Sequence, residues 1–174
     1  GCHGLEIEGR GLAFRHPRAR VSRIAAARRA LDAGVAAIPR AHVEFKGLAV
    51  SLHYRRVAAA GRVGVRALAA RVLRRVPGLA LIPGREVFDF VPRVGWGKGQ
   101  AAHWIVRHAG RALGPGRPAV LYAGDDTTDE AAFAALEGRA LTVRIGGGKS
   151  GAEYTLPGVR QTHALLRWID RALG

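Results

Sequence analysis

The chain has 174 residues, 48% of them hydrophobic and 24% charged, a balance that suits one globular domain or a domain with an insert rather than a disordered or fibrous protein. Its formal net charge of +15 comes almost entirely from arginine, since the lysines are only Lys46, Lys98 and Lys149. These arginines are scattered, with no basic tail and no interleaved aromatic platform, so the charge favours anionic ligands without specifying nucleic acid. Cys2 is the sole cysteine, which excludes an internal disulfide or a cysteine metal cluster. No apolar run approaches the ~18 residues of a membrane span, and no signal peptide is visible, so a soluble, cytoplasmic protein is expected. Methionine is absent even at position 1, from which we expect the gene to begin upstream of Gly1.

In chain order, Leu5 and Ile7 alternate with Glu6 and Glu8, which predicts a half-exposed strand within Gly1–Gly9. A turn bearing proline and arginine is expected at His16–Arg20. Ile24, Ala27 and Leu31 then share one helical face within Val21–Leu31, with Arg23, Arg28 and Arg29 elsewhere. Val43–Arg55 reads as two strands broken at Gly47. Glu44 and Lys46 share a face of the first; in the second, Leu48, Val50, Leu52 and Tyr54 alternate with Ser51, His53 and Arg55. Helical spacing returns at Val65, Leu68, Ala69, Val72 and Leu73, and Pro77-Gly78 stops that helix. Strands are expected near Leu79–Ile82 and Val87–Val91. Residues 20–92 thus read as an α+β unit whose antiparallel sheet is covered on one side by helices.

The pattern changes after Pro92. Helix Lys98–Leu113, strand Pro118–Ala123, helix Thr128–Leu136 and strand Ala140–Ile145 alternate as in a doubly wound parallel sheet. A closing helix is expected over Gln161–Leu173, with Leu165, Ile169 and Leu173 inward. Gly146–Gly151 lacks the first glycine of a phosphate loop, because Val143 stands there, and Pro157 interrupts any following helix. It reads as a loop.

Two stretches point to chemistry. Tyr122-Ala-Gly-Asp-Asp-Thr-Thr-Asp-Glu places Asp125 and Asp126 in the turn after a buried strand, where open α/β sheets hold their ligands. Thr127 and Glu130 have capping-box spacing for the helix beyond. Two adjacent carboxylates on such a turn suit a hard cation such as Mg2+; an Asx-rich turn that only caps the helix is the other reading. Lys98, flanked by Gly97 and Gly99 at a helix start, could reach a phosphate that the helix amino terminus also attracts.

These pieces, with His3-Gly4-Leu5-Glu6, Val43-Glu44-Phe45-Lys46-Gly47, Ser51-Leu52-His53-Tyr54-Arg55 and Gly95-Trp96-Gly97-Lys98-Gly99, resemble the trehalose-6-phosphate phosphatases of the haloacid dehalogenase superfamily. The resemblance covers nearly the whole chain. It implies an α/β fold with a Rossmann-like core, residues 1–19 and 93–174, and an inserted α+β cap, residues 20–92. It further implies Mg2+-dependent hydrolysis of trehalose 6-phosphate, with Asp125 and Asp126 at the metal and Lys98 positioning the phosphoryl oxygens and the nucleophile. Glu44 and Lys46 would contact sugar hydroxyls and the neighbouring phosphate, with His3, Glu6 and Arg55 in lesser parts; an exposed ion pair is the plain alternative for Glu44 and Lys46. The expected partner is the sugar phosphate, with no specific nucleic acid and no membrane, and with possible association with a trehalose-6-phosphate synthase.

The chain departs from the family's pattern in three places. The Asp-x-Asp-Gly-Thr motif, which in the family carries nucleophile and acid/base, is absent from the 174 residues, as is the strand ending in Ser or Thr that binds phosphate. Asp89 and Val91 stand where the family shows Glu and a basic residue. The core is therefore expected to be incomplete at its amino terminus, and the chain by itself inactive. A sugar-phosphate-binding module without catalysis, or a phosphatase of another sugar phosphate, are the alternatives.

Overall fold

A computed structural model describes residues 1–9, 11–113 and 119–173. The chain divides into two compact units, Gly1–Ile7 with Ala13–Trp96, and Glu8–Leu12 with Gly97–Gly174. A short 3-10 turn at Cys2–Gly4 leads into β1 (Glu6–Gly9), which forms a two-stranded sheet with β2 (Leu12–Arg15). β2 was not expected; its four residues alternate too briefly to stand out from the turn that follows.

The first unit is built by α1 (Val21–Val35), β3 (His42–Phe45), β4 (Val50–His53), α2 (Arg62–Arg75), β5 (Leu79–Gly84) and β6 (Val87–Pro92). The strands pair antiparallel in the order β3-β4-β6-β5. Ile24, Ala27 and Leu31 of α1 and Val65, Leu68, Ala69 and Val72 of α2 are buried. They pack on Val50, Leu52, Leu79 and Phe90 in one core, each large side chain contributing about 1.5–3 kcal/mol by leaving water. Alternation fixes the opposite face: register sets Glu44 beside Ser51 and Ser51 beside Asp89, a row of polar side chains across three strands. Ser51 is fully buried in that row, because hydrogen bonding rather than solvent satisfies its hydroxyl. A two-residue turn, Arg85-Glu86, closes β5 on β6, with Glu86 in the left-handed region at φ 60°.

The second unit contains α3 (Lys98–Leu113), β7 (Leu121–Gly124), α4 (Glu130–Ala135), β8 (Leu141–Ile145), β9 (Tyr154–Leu156) and α5 (Val159–Leu173). Pro118, expected to open the strand now seen as β7, lies outside the described residues. β7, β8 and β9 form a parallel sheet in chain order. The three residues of β9 carry no readable pattern and were missed. Ala102 on α3, Ala132 on α4 and Leu136 just after α4 form a core with Val106 and Tyr122. Leu165 and Ile169 of α5 are half-buried, but Leu173 is 84% exposed rather than inward. Helical spacing does place it on their face, yet the last turn has nothing beneath it among the described residues. Among those residues, no helix is long and apolar enough to cross a membrane.

Candidate active site

The turn after β7 is set by glycines on both sides of it. At Gly124, a Cβ would fall 2.3 Å from the Asp129 Cγ, so only glycine lets that carboxylate lie against the strand end. At Gly99, a Cβ would fall 2.5 Å from the Ala131 carbonyl oxygen, so glycine brings the start of α3 directly against α4. Lys98 is thereby delivered to Asp129: its Nζ donates to Oδ1 at 2.7 Å. Tyr122 Oη donates to the same oxygen at 2.8 Å, and the Asp126 amide donates to Oδ2 at 2.9 Å.

Asp129 is thus the hub of the turn, and its role was not recognised in the sequence. The capping box runs from Asp126 to Asp129, one residue earlier than the expected Thr127–Glu130 pair. Asp126 Oδ1 accepts from the Thr127 amide at 2.6 Å and its hydroxyl at 3.1 Å, because a carboxylate outcompetes a hydroxyl as the acceptor at a helix start. Burial alone would raise the Asp129 carboxyl; donation from Lys98, the Asp126 amide and Tyr122 outweighs it and holds the group below the usual range. Burial, with Asp129 as acceptor, in turn pushes the Tyr122 phenol up. Behind the turn, Arg144 donates to the Asp126 carbonyl at 3.1 Å and lies 3.6 Å from Glu130, which accepts from Ser150 and the Gly151 amide at 2.8 Å each. The glycine-rich loop of 146–151 is tied to the turn in this way.

Asp125 is exposed and has no hydrogen bond or ion pair among the described residues. Nor do those residues contain a ready group of three or more His, Cys, Asp or Glu side chains for a metal.

The polar face of the first unit holds a second constellation. His53 Nε2 is 2.8 Å from Glu44 Oε2, Lys46 Nζ is 3.3 Å from the same oxygen, and Lys46 Nζ lies 3.9 Å from Asp89 Oδ1. His3 Nε2 reaches Asp89 Oδ2 at 3.1 Å, and the Ser51 hydroxyl donates to Oδ1. His3, Glu44 and Lys46 are therefore brought together, joined by Asp89, Ser51 and His53, which the sequence did not single out as a group. Arg55 lies elsewhere, paired with Glu86 at 3.6 Å. Glu6 pairs with Arg15 at 3.5 Å and borders the cluster without joining it, since the Cys2 thiol, 3.8 Å from its Oε2, donates to the Lys46 carbonyl at 2.6 Å. The hydrogen bond from His53, against a weaker opposing effect of burial and aided by Lys46, keeps the Glu44 carboxyl low. His3 Nδ1 is buried without a partner among the described residues, and Cys2 and His3 both adopt positive φ, at 51° and 57°. Strained backbone beside an unsatisfied polar atom is the condition in which ligand sites are commonly found.

Asp89 gives this cluster a pH dependence. Burial would raise its carboxyl, but hydrogen bonds from His3 and Ser51 and the charge of Lys46 leave it below the ordinary value. A depressed carboxyl stabilises the fold above its unfolded-state value, and that stability is lost as pH falls through the depressed one. Asp89→Asn should therefore flatten the loss of urea resistance below pH about 4. An unchanged acid slope would mean that Asp89 titrates alike in both states.

Comparison with known proteins defines first a class and then a family. Over 98% of the chain and 70% of the other, the fold superposes on a trehalose-6-phosphate phosphatase related protein with a TM-score of 0.80 at 24% identity. Over 84% of the chain and 60% of the other, it superposes on the Candida albicans trehalose-6-phosphate phosphatase carboxy-terminal domain with a TM-score of 0.65 at 18% identity. The fold shared with these two proteins is a mixed α/β fold. The family described as Trehalose-phosphatase matches residues 1–157, and the chain belongs to that family. A trehalose-phosphate phosphatase of Mycolicibacterium paratuberculosis is 38% identical over 141 residues, 79% of this chain and 36% of the relative. One from Mycobacterium leprae is 36% identical over 132 residues, 74% of this chain and 30% of the relative. The chain spans about a third of the length of these curated relatives.

Proposed function

We propose that the protein acts as a trehalose-6-phosphate phosphatase, using Mg2+ to hydrolyse trehalose 6-phosphate to trehalose and phosphate in the cytoplasm. The observation that carries this reading is the anchoring of Lys98 by Asp129 at the carboxyl end of β7, beside an unpartnered Asp125, in a chain of this family. The donor set fits a hard cation in part. Asp125 offers a free carboxylate and Asp126 has already committed one oxygen to its helix, while Mg2+ commonly takes one or two carboxylates and keeps several waters. Bound there, Mg2+ would offset the charge of the phosphoryl group. Lys98 would hold a phosphoryl oxygen while Asp129 fixes its ammonium in place. The attacking carboxylate would come from the family's Asp-x-Asp-Gly-Thr strand, which the 174 residues do not include.

Residues 20–92 are assigned as the cap and residues 1–19 and 93–174 as the core. Glu44 and Asp89 on the cap would accept from sugar hydroxyls, and Lys46 on the cap would donate together with His3 from the amino-terminal segment, Asp89 standing in for the family's Glu. A trehalose-6-phosphate synthase, whose product this reaction consumes, is the natural partner.

Two measurements test the assignment, both in a version carrying an Asp-x-Asp-Gly-Thr strand ahead of Gly1. Asp125→Asn should abolish Mg2+-dependent phosphate release while circular dichroism stays unchanged; near-normal turnover removes Asp125 from the metal site. Lys46→Ala should lower kcat/KM for trehalose 6-phosphate by at least about tenfold, as losing a charged hydrogen bond implies, and leave a small aryl phosphate nearly unaffected. Equal losses for both substrates would place Lys46 outside sugar recognition.

A further inference from the structure

We propose that the first unit carries a separate anion site for a ligand with more than one phosphate group, formed by Arg40, Arg56 and Arg85 with the stacked imidazoles of His42 and His53. The inference stands apart from the phosphatase reading. A groove of about 590 Å³ opens at the end of the sheet where β3 starts, β4 ends and the Arg85-Glu86 turn closes β5 on β6. Arg40, Arg55, Arg56 and Arg85 all line it, and Glu86 is its one carboxylate among the lining residues. That carboxylate is already engaged, at 2.5 Å by Arg62 and at 3.6 Å by Arg55. Arg40, Arg56 and Arg85 have no ion pair among the described residues, so three guanidinium groups face one concavity with nothing to offset them.

Like charges gathered in a groove repel one another unless an anion fills it, and low-dielectric walls strengthen the attraction for that anion. Guanidinium forks match phosphate oxygens two at a time, which makes arginine the side chain suited to such a ligand. The histidines form an ordered wall: their rings stack at 4.6 Å with 7° between planes, and Glu44 holds His53 from behind at 2.8 Å. Backbone strain collects at the same place. Among the described residues, four non-glycines adopt positive φ, and Arg40 at 67° and Glu86 at 60° both line this groove. Such conformations are costly for residues with a side chain and cluster at clamps and ligand sites. Three separated guanidinium groups call for a ligand whose charge is spread over several oxygens, a diphosphate rather than a single phosphate.

The test is calorimetric titration of the 174-residue chain at low salt with pyrophosphate and with inorganic phosphate. Pyrophosphate should bind at least about tenfold more tightly than phosphate, and its affinity should fall steeply with salt. Arg56→Gln and Arg85→Gln should each weaken pyrophosphate about tenfold, while Lys46→Ala and Lys98→Met leave it unchanged. Both arginines are exposed, so the variants should keep the parent's circular dichroism; Arg85→Lys, which retains charge without the fork, should fall between parent and Gln. The proposal is overturned if the Gln variants bind as the parent does, or if the loss follows Lys98 or Lys46 instead. Displacement of pyrophosphate by neutral trehalose would also overturn it, since the groove would then belong to the sugar site.

Discussion

Replacing Asp129 with alanine should destabilise the second unit by about 3–5 kcal/mol, the cost typical of leaving a buried charge without its partner. The carboxylate is 5% exposed and serves three donors at once, Lys98, Tyr122 and the Asp126 amide. Truncation strands all three, and Lys98 is only 27% exposed, so water replaces the lost bond incompletely. Asp129→Asn keeps the shape and one acceptor oxygen and should cost about half as much. Urea unfolding followed by the fluorescence of Trp104 and Trp168 reads both variants. A loss under about 1 kcal/mol for the alanine variant would show that the turn does not depend on this carboxylate. The same substitution frees the Lys98 ammonium, so in a catalytically complete version it should lower kcat more than it raises KM.

Gly99→Ala should reverse the usual effect of alanine in a helix. At an unconstrained helical position the change stabilises by about 0.5–1 kcal/mol. Here the added methyl meets the Ala131 carbonyl oxygen at 2.5 Å, a backbone atom that cannot swing away. Separating α3 from α4 to make room should cost about 1–3 kcal/mol, as overpacking does elsewhere. Gly64→Ala on α2 is the matched control. Its methyl would meet Ile38 at 3.8 Å, an ordinary contact, so it should be neutral or stabilising. Melting temperatures that move the same way for both variants would refute the close-approach explanation.

The helices and central strands of both units were legible because their buried faces repeat. Ile24, Ala27 and Leu31 on α1 and Val65, Leu68 and Val72 on α2 stand where periodicity puts them, and α3 was located to the residue. β2 and β9 escaped because strands of three or four residues do not complete a period that can be distinguished from a turn. The Asp125-Asp126 turn was legible as the end of a strand before a helix. That strand, expected to be buried, is largely exposed: Leu121 is 39% exposed and only Gly124 of β7 is buried, because β7 is an edge strand of its sheet among the described residues. Asp129 was visible only as a favourable first-turn charge, since its role depends on Gly124 lacking a side chain and on Lys98 arriving from a different helix. Asp89 was harder still. It meets Ser51 because β6 pairs with β4 across an intervening helix and strand, a neighbour relation that no local pattern encodes. The grouping of Arg40, Arg56 and Arg85 around one groove depends in the same way on where three loops end.

The two-residue turn between β5 and β6 has a consequence for the order in which the chain acquires structure. A hairpin closed by Arg85 and Glu86 can zip from its own turn within microseconds, because little loop entropy opposes it. β4 can then add to the edge of β6. The parallel ladder of β7 and β8 has no such shortcut: nothing in it pairs until α4 has formed and carried the chain back. Refolding should accordingly be staged, with Trp96 in the first unit reporting an early phase and Trp104 and Trp168 in the second a later one. During synthesis from the amino terminus, the six-element first unit would leave the ribosome and order itself while the segment bearing Asp125 was still being made.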